Sequence, residues 1–467
     1  MEQPLTYLKQ RAGEDWLIGY DTNQFNYLTE QLFQQLSKHG TPLKILLAEQ
    51  NPWQFLAAFL AAVAADCPVF LCNPNWVEQE WQQVFDVVQP NLIWGDLSGA
   101  SDFQKLNVEN SIGLRPLSSQ PSTLYKQTIM IPTGGSSGKI RFAIHTWETL
   151  MASVRGFHQY FGEKPINSFC VLPLYHVSGL MQFLRSFTTG GCLTILPFKE
   201  LEAGETCGVD PAKFFISLVP TQLQRLLPPP LSWLSRFPTV LLGGAPAWLE
   251  LLEQARQRGI RLAPTYGLTE TASQIATLKP EDFLNGYNSC GQVLPHAKVT
   301  IRSSTGQLLG ANQTGIITIQ AESLALGYYP EIFTNCNNFQ LDDLGFFDDR
   351  GYLNIVGRSS NKIITGGENV YPDEVEAAIR ATQLVNDVCV IGIPDPHWGQ
   401  VVTAVYVPSN SFVATAALQA ALEDKLSRFK QPKSWIPVES LPRNSQGKLN
   451  REQMQQIATA SLRISPK

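Results

Sequence analysis

The stretch Pro132-Thr133-Gly134-Gly135-Ser136-Ser137-Gly138-Lys139 decides how this chain is read. It is entered from the apolar run Thr128-Ile129-Met130-Ile131. It is left through Lys139-Ile140-Arg141-Phe142-Ala143-Ile144-His145, where polar and apolar residues alternate as they do in a strand. Three glycines free the backbone to aim consecutive N–H groups at one anion, and three hydroxyls add donors, so the segment reads as a phosphate cradle. A Walker-type loop needs Gly, four residues, then Gly-Lys-Ser/Thr; here Thr133 stands at the first glycine and Ile140 follows the lysine, so that reading fails. Gly134-Gly135-Ser136-Ser137-Gly138 does satisfy Gly-x-Ser-x-Gly, the serine-hydrolase elbow, but an elbow leads from a strand into a helix. Flanking strands predict a hairpin instead. The competing reading, a flexible Gly/Ser surface turn, has to be decided by the rest of the chain.

Upstream of the loop, helix and strand patterns alternate. Leu28, Leu32, Phe33 and Leu36 share a helical face, and Leu43 to Ala48 read as a buried strand. Asn51 and Pro52 can cap a helix reaching Ala65. A strand follows at Pro68 to Cys72, a helix at Trp81 to Val88 and a strand at Asn91 to Trp94. This order predicts an α/β fold with a parallel, doubly wound sheet. Downstream, strands at Ser168 to Leu172, Cys192 to Leu196, Phe214 to Val219 and Val240 to Leu242 alternate with helices such as Trp248 to Arg258. Residues 290–357 carry short strands, including Lys298 to Ile301 and Gly315 to Ile319, and predict a small antiparallel, barrel-like unit. The polar run Arg358-Ser359-Ser360-Asn361-Lys362 is a candidate hinge between residues 1–357 and an α+β domain at 363–467. That last domain is expected to hold helices at Asp373 to Arg380 and Ala414 to Phe429, with strands around Val388 to Ile393 and Val401 to Val407.

Composition removes several function classes. A net charge of −5 offers no overall pull toward nucleic acid. No secretory signal pattern stands at the start of the sequence, and the apolar segment Trp53 to Ala65 is too short to span a bilayer, so a cytoplasmic protein without a membrane span is expected. The eight cysteines form no C-x-x-C pair and are expected to be buried free thiols.

Five further segments accompany the glycine loop: Leu242-Gly243-Gly244-Ala245-Pro246, Tyr266-Gly267-Leu268-Thr269-Glu270, Asp343-Leu344-Gly345-Phe346, Gly357-Arg358, and Pro442-Arg443-Asn444-Ser445-Gln446-Gly447-Lys448. In order and spacing this set resembles the adenylate-forming superfamily of acyl-CoA synthetases, carrier-protein adenylation domains and luciferases, over nearly the whole chain. The resemblance implies ATP, Mg²⁺ and coenzyme A as cofactor and cosubstrates. It implies that Thr133, Gly134, Gly135, Ser136, Ser137 and Gly138 hold the β- and γ-phosphates, with Arg141 close by. Gly243, Gly244, Ala245 and Pro246 would pass close to adenine, and Tyr266 and Gly267 would border it, with the Tyr266 ring stacking. Thr269 would reach the α-phosphate and Glu270 would bind the metal, a hard cation that prefers carboxylate oxygen. Asp343 and Arg358 would take the ribose. Lys448 would bridge the two anions that meet when a carboxylate attacks the α-phosphate. The C-terminal domain would then swing about Ser360, bringing Gly366 and Gly367 to line the CoA tunnel.

Departures from the common pattern narrow the resemblance. Gly134 replaces a serine, Ser136 and Ser137 replace threonines, Ile140-Arg141 replace Pro-Lys, Leu341-Asp342-Asp343 replaces Thr-Gly-Asp, and Ser360 replaces Asp or Lys. The variant loop followed by Arg141-Phe142-Ala143-Ile144-His145-Thr146-Trp147 is similar to the o-succinylbenzoate–CoA ligases of the cyanobacterial and plant type, which act on the way to menaquinone or phylloquinone. That implies a small aromatic dicarboxylic acid as the substrate. Leu172-Pro173-Leu174-Tyr175-His176-Val177-Ser178-Gly179 matches the family's acyl-pocket segment, which makes His176 a candidate catalytic or gating residue and His176 and Ser178 candidate substrate contacts. Arg185 and Thr271 to Gln274 are further candidates for the aromatic carboxylate. The alternatives are a related ligase for another small acid or a carrier-protein thiol, a serine hydrolase using Ser136, and a noncatalytic ATP-binding protein.

Overall fold

The computed structural model describes residues 3–95, 97, 127–134, 140–227, 232–334, 339–365, 368–395, 397–410, 413–423, 425–443 and 449–464. The expected α/β architecture is present. In the first sheet Ile45–Ala48 lies between Val69–Leu71 and Leu92–Gly95, all parallel, and Val69–Leu71 pairs in parallel with Thr128–Gly134. Asn51 accepts a bond from the Trp53 N–H and Pro52 opens the intervening helix Pro52–Ala64, so the cap and the stop at Ala65 fall where the sequence puts them. That helix is apolar on nearly every face because it is covered on both sides.

Thr128–Gly134 and Ile140–Thr146 pair antiparallel over their full lengths, from Thr128↔Thr146 to Gly134↔Ile140. The glycine loop therefore joins the two strands of a hairpin, and from Ile140 the chain runs on as a strand and not as the helix a hydrolase elbow requires. Two short strands, Gly327–Tyr328 and Glu331–Ile332, finish the sheet beside it, with Tyr328 opposite Ala143.

A second sheet of eight strands takes the second alternating series. Its centre runs Leu193–Ile195, Ser168–Cys170, Phe215–Leu218, Thr239–Leu242 and Leu262–Leu268 in parallel; Ser273–Thr277 then returns antiparallel. The helices Trp147–Tyr160 and Val177–Thr189 pack beside it. The buried Arg11 guanidinium donates to the carbonyls of Ser186, Phe187 and Gly191, supplying partners for buried carbonyls at the C-terminal end of helix Val177–Thr189. Ala297–Arg302, Gly315–Ala321, Phe339–Phe347 and Leu353–Arg358 form a four-stranded antiparallel sheet, and Ile363 onward carries a separate sheet of five strands covered by the helices Pro372–Arg380 and Arg451–Ile464.

Two expectations need correction. The final predicted helix, Ala414 to Phe429, ends at Ala420. Leu418, Leu422 and Leu426 keep helical spacing and are buried, but beyond Ala420 the chain proceeds in turns. There the Gln431 amide donates to the Leu426 carbonyl at 2.9 Å and, at 3.4 Å, to that of Leu422, which also keeps the bond from Leu426 N–H. Among the described cysteines, Cys67, Cys72, Cys170 and Cys389 are buried, Cys192 and Cys290 are half-buried and Cys207 is exposed. No helix among the described residues is long and apolar enough to cross a membrane.

Candidate active site

Several of the quoted motifs lie at the carboxyl ends of parallel strands, where an open α/β sheet leaves a crevice. Thr239–Leu242 ends in Gly243 to Pro246, whose last three residues are exposed. Gly244 has φ +81°, a conformation that excludes most side chains, and a Cβ on Gly243 would lie 2.5 Å from the Thr265 hydroxyl. Leu262–Leu268 carries Tyr266 and Gly267 into a single 3₁₀ turn, Thr269–Thr271.

The backbone of that turn is fixed from three directions. His145, on the strand leaving the phosphate hairpin, places Nε2 2.8 Å from the Thr269 carbonyl; Ala325 N–H donates to the Glu270 carbonyl at 2.8 Å; and Ser153 Oγ donates to the Ala272 carbonyl at 2.6 Å. Ala272 and Ser273 follow with φ of +52° and +92°. Two successive non-glycine residues there cost about 1–3 kcal/mol each and persist only where surrounding bonds over-determine them. A carbonyl can only accept, so His145 Nε2 bears the proton and Nδ1, 3.0 Å from Thr149 Oγ1, is the acceptor. Complete burial pushes the imidazole down to about 4, which keeps it neutral in that tautomer.

The Glu270 side chain is buried and has no ion-pair partner among the described residues; its one hydrogen bond there comes from the Tyr328 hydroxyl. A desolvated carboxylate without a cation is costly, so the donor set fits Mg²⁺ arriving with a polyphosphate. Nearby, the register sets Asp343 opposite Arg358. Asp343 Oδ1 accepts from Arg358 Nε at 3.0 Å and Oδ2 from Tyr266 Oη at 2.6 Å. Burial first, then the adjacent Asp343, holds the Tyr266 phenol well above its ordinary range, so it remains a donor. The neighbouring Asp342 turns outward, and both of its carboxylate oxygens accept from Ser360 N–H at 3.1 Å; Ser359 N–H reaches the Asp342 carbonyl at 2.7 Å. Two departures noted in the sequence, Asp342 and Ser360, are thus in contact.

His176 is the N-cap residue of helix Val177–Thr189, its ring 4.4 Å from that of Tyr175, and Ser178 sits in the first helical turn. Two turns on, Arg185 is buried at 3% exposure. Its guanidinium lies 4.0 Å over the Phe157 ring and donates through Nη2 to Gln274 Oε1 at 2.8 Å and Ser273 Oγ at 3.2 Å. Burial pushes Arg185 down to about 9, leaving it charged at neutral pH, with no carboxylate in ion-pair range among the described residues. Arg185 Nε, Gln274 Nε2 and both ring nitrogens of His296 are buried without a hydrogen-bond partner among the described residues. Burial, then Arg185 and Arg155, push His296 down to about 4. A neutral imidazole offers one donor and one acceptor, so Arg185 Nε and Gln274 Nε2 are the two donors left over, and a carboxylate guest would supply their acceptor.

Gly135, Ser136, Ser137, Gly138, Gly366, Gly367 and Lys448 lie outside the described residues. Motif reading did not point to His145, Tyr328, Asp342 or His296. Their roles come from contacts between distant segments, and only Asp342 left a trace, as a charge where the common pattern has glycine.

The sequence matches the AMP-binding enzyme family over residues 34–329 and the AMP-binding enzyme C-terminal domain over 374–448. It is 31% identical to the 2-succinylbenzoate–CoA ligase of Bacillus velezensis, with 99% of each chain covered. Among solved structures it is similar to the o-succinylbenzoate coenzyme A synthetase of Bacillus subtilis in complex with ATP and magnesium ion, at 25% identity and a TM-score of 0.81 over 96% of this chain and 99% of that one. Against a double mutant of that synthetase bound to its product analogue, also 25% identical, the TM-score is 0.65 over 96% and 97%. The overall arrangement of the chain is accordingly closer to the ATP-bound relative.

Proposed function

This chain belongs to the AMP-binding enzyme family, and we propose that it is an AMP-forming acid–thiol ligase that activates 2-succinylbenzoate with ATP and transfers the acyl group to coenzyme A. The observation that carries this reading is the end-to-end similarity to a 2-succinylbenzoate–CoA ligase; Tyr266, Asp343 and Arg358 bonded together, and Glu270 tied through Tyr328 to the strand leaving the glycine loop, support it. Arg185 and its unpartnered donor neighbours support an acid with a second, aromatic carboxylate.

On this reading Asp343, oriented by Tyr266 and Arg358, accepts from the ribose hydroxyls. Thr269 donates toward the α-phosphate, and Glu270 is the carboxylate that would hold Mg²⁺. The metal would supply charge neutralisation along the polyphosphate as pyrophosphate leaves. His145 keeps the Thr269 carbonyl aimed inward, so the hydroxyl and carboxylate of the Thr269-Glu270 pair face the nucleotide. Lys448 bridges the attacking carboxylate and the α-phosphate, lowering the repulsion between them. His176 and Ser178 border the acyl chain, and Arg185 receives the ring carboxylate. With pyrophosphate gone, residues from 363 onward turn about Ser360, withdrawing Lys448 and presenting the segment around Gly366 and Gly367 to the thiol. The thiolate forms the C–S bond at the acyl carbon while the bond to AMP breaks. Membership of the cyanobacterial and plant branch, and a cytoplasmic location, are part of the same proposal; the branch rests on the variant loop Thr133 to Gly138.

Acid-dependent pyrophosphate release across a panel of aryl, acyl and dicarboxylic acids tests the reading. Release with 2-succinylbenzoate well above the rest is expected; preference for another acid would assign a different ligase, and ATP binding without release for any acid would leave a binding protein.

A further inference from the structure

Tyr328 lies outside every motif quoted from the sequence, yet it stands between two of them. Its strand, Gly327–Tyr328, pairs with Ile140–Thr146, which carries Arg141 out of the phosphate hairpin. The phenol hydroxyl donates to Glu270 Oε1, and the Arg141 guanidinium sits 4.3 Å over the other end of the same side chain, on the ring face. A cation on the ring face draws electron density from the phenol and strengthens O–H as a donor. Burial, followed by the Glu270 carboxylate, pushes the phenol up and keeps its proton in place. Only Oε1 is engaged in this way; Oε2 accepts no hydrogen bond among the described residues.

We propose that Tyr328 is a positioning residue for the metal site: by holding Glu270 Oε1 it turns Oε2 toward the cation, and the Arg141 stack ties that orientation to the phosphate hairpin. Arg141, which occupies the place where the common loop has Pro-Lys, acts on this account through the tyrosine ring as well as by its charge near the phosphates. A carboxylate left with two free rotamers binds a hard cation less well than one held by a fixed donor, and losing such an outer partner typically lowers metal affinity on the order of 10-fold. The inference rests on Glu270 being the metal carboxylate, so Glu270 is tested in parallel.

The experiment is calorimetric titration of ATP into the full-length protein without acid substrate, in excess MgCl₂ and again in EDTA, with a melting curve for each variant. Tyr328→Phe is expected to weaken ATP binding on the order of 10-fold in Mg²⁺ and to leave binding in EDTA unchanged. Arg141→Gln, at an exposed side chain, is expected to lower the Mg²⁺-dependent gain about 3-fold, and it carries the test if Tyr328→Phe melts out. Glu270→Gln should erase the difference between Mg²⁺ and EDTA. If Glu270→Gln erases it while Tyr328→Phe and Arg141→Gln both keep the full wild-type gain, Tyr328 has no positioning role. If Glu270→Gln keeps the gain, the assignment of Glu270 itself is overturned.

Discussion

Replacing Arg185 by methionine separates a substrate-binding cation from a structural one, because the two roles predict opposite effects on stability. The guanidinium is 3% exposed, and its described partners are neutral: Gln274, Ser273 and the Phe157 ring. Burying that charge without a carboxylate costs the free protein several kcal/mol, and an apolar side chain of similar length removes the cost. The variant should therefore melt no lower than the wild type. Catalysis should suffer. A charge-assisted bond to a buried carboxylate is worth about 1.5–3 kcal/mol, and leaving the partner charge stranded moves the loss toward the upper figure. At about 3 kcal/mol, kcat/KM for 2-succinylbenzoate falls roughly 150-fold. An analogue lacking the ring carboxylate, 4-oxo-4-phenylbutanoate, never gains that contact, so Arg185→Met should process it as well as or better than wild type does. Pyrophosphate-coupled rates with both acids, beside melting curves, give the answer. Proportional losses on both acids together with a much lower melting temperature would show that Arg185 serves packing, and the reasoning from its missing carboxylate would be wrong.

Lys448→Ala should slow adenylate formation severely while a preformed acyl-adenylate still reacts with coenzyme A; equal loss of both half-reactions would contradict the division of labour. His145 makes acid sensitivity predictable. The unfolded imidazole protonates near 6.5 and the folded one near 4, so the unfolded state binds more protons in between and stability is lost as pH falls through that window. The loss from this group between pH 7 and 5 is roughly 2 kcal/mol, and His145→Gln, which keeps a donor for the Thr269 carbonyl, should show a correspondingly shallower decline in melting temperature over that range. An identical decline in both proteins would mean that His145 is not held neutral. Asp342→Ala removes the carboxylate that accepts the Ser360 N–H, an exposed contact worth about 0.5–1.5 kcal/mol. Adenylation should slow roughly 2- to 10-fold with thioester formation from preformed adenylate unaffected, measured by single turnover of each half-reaction.

Local patterns were readable wherever local physics decides the outcome. An apolar run before the glycine loop and alternation after it foretold its hairpin; Asn51-Pro52 foretold a helix start; and parallel strands followed from their order with intervening helices. The same logic misplaced the end of the helix that begins near Thr415. Leucines at helical spacing satisfy burial in successive turns as well as in a continuous helix, and the Leu426 carbonyl takes its hydrogen bond from the Gln431 side chain, several residues on. At the site, motifs supplied the groups proposed to touch nucleotide but not the ones that aim them. His145 reaches across 124 residues to Thr269, Tyr328 across 58 to Glu270, and Arg185 across 89 to Gln274. A single sequence carries no periodicity or cap at such separations. Asp342 and Ser360 were visible separately as departures. Their contact, at the end of the strand pair away from its turn, runs from the Ser360 backbone N–H to the Asp342 carboxylate, so the acid is accounted for by the bond and the serine side chain is not.

The central claim, that this crevice joins 2-succinylbenzoate to coenzyme A through an adenylate, is tested most directly by one reaction containing purified protein, Mg²⁺-ATP, 2-succinylbenzoate and coenzyme A. Mass spectrometry should find the succinylbenzoyl-CoA thioester together with AMP and pyrophosphate in equal amounts, and neither AMP nor pyrophosphate when the acid is omitted. ADP and phosphate in place of AMP and pyrophosphate, or no thioester while another acid in the panel is converted, would contradict it.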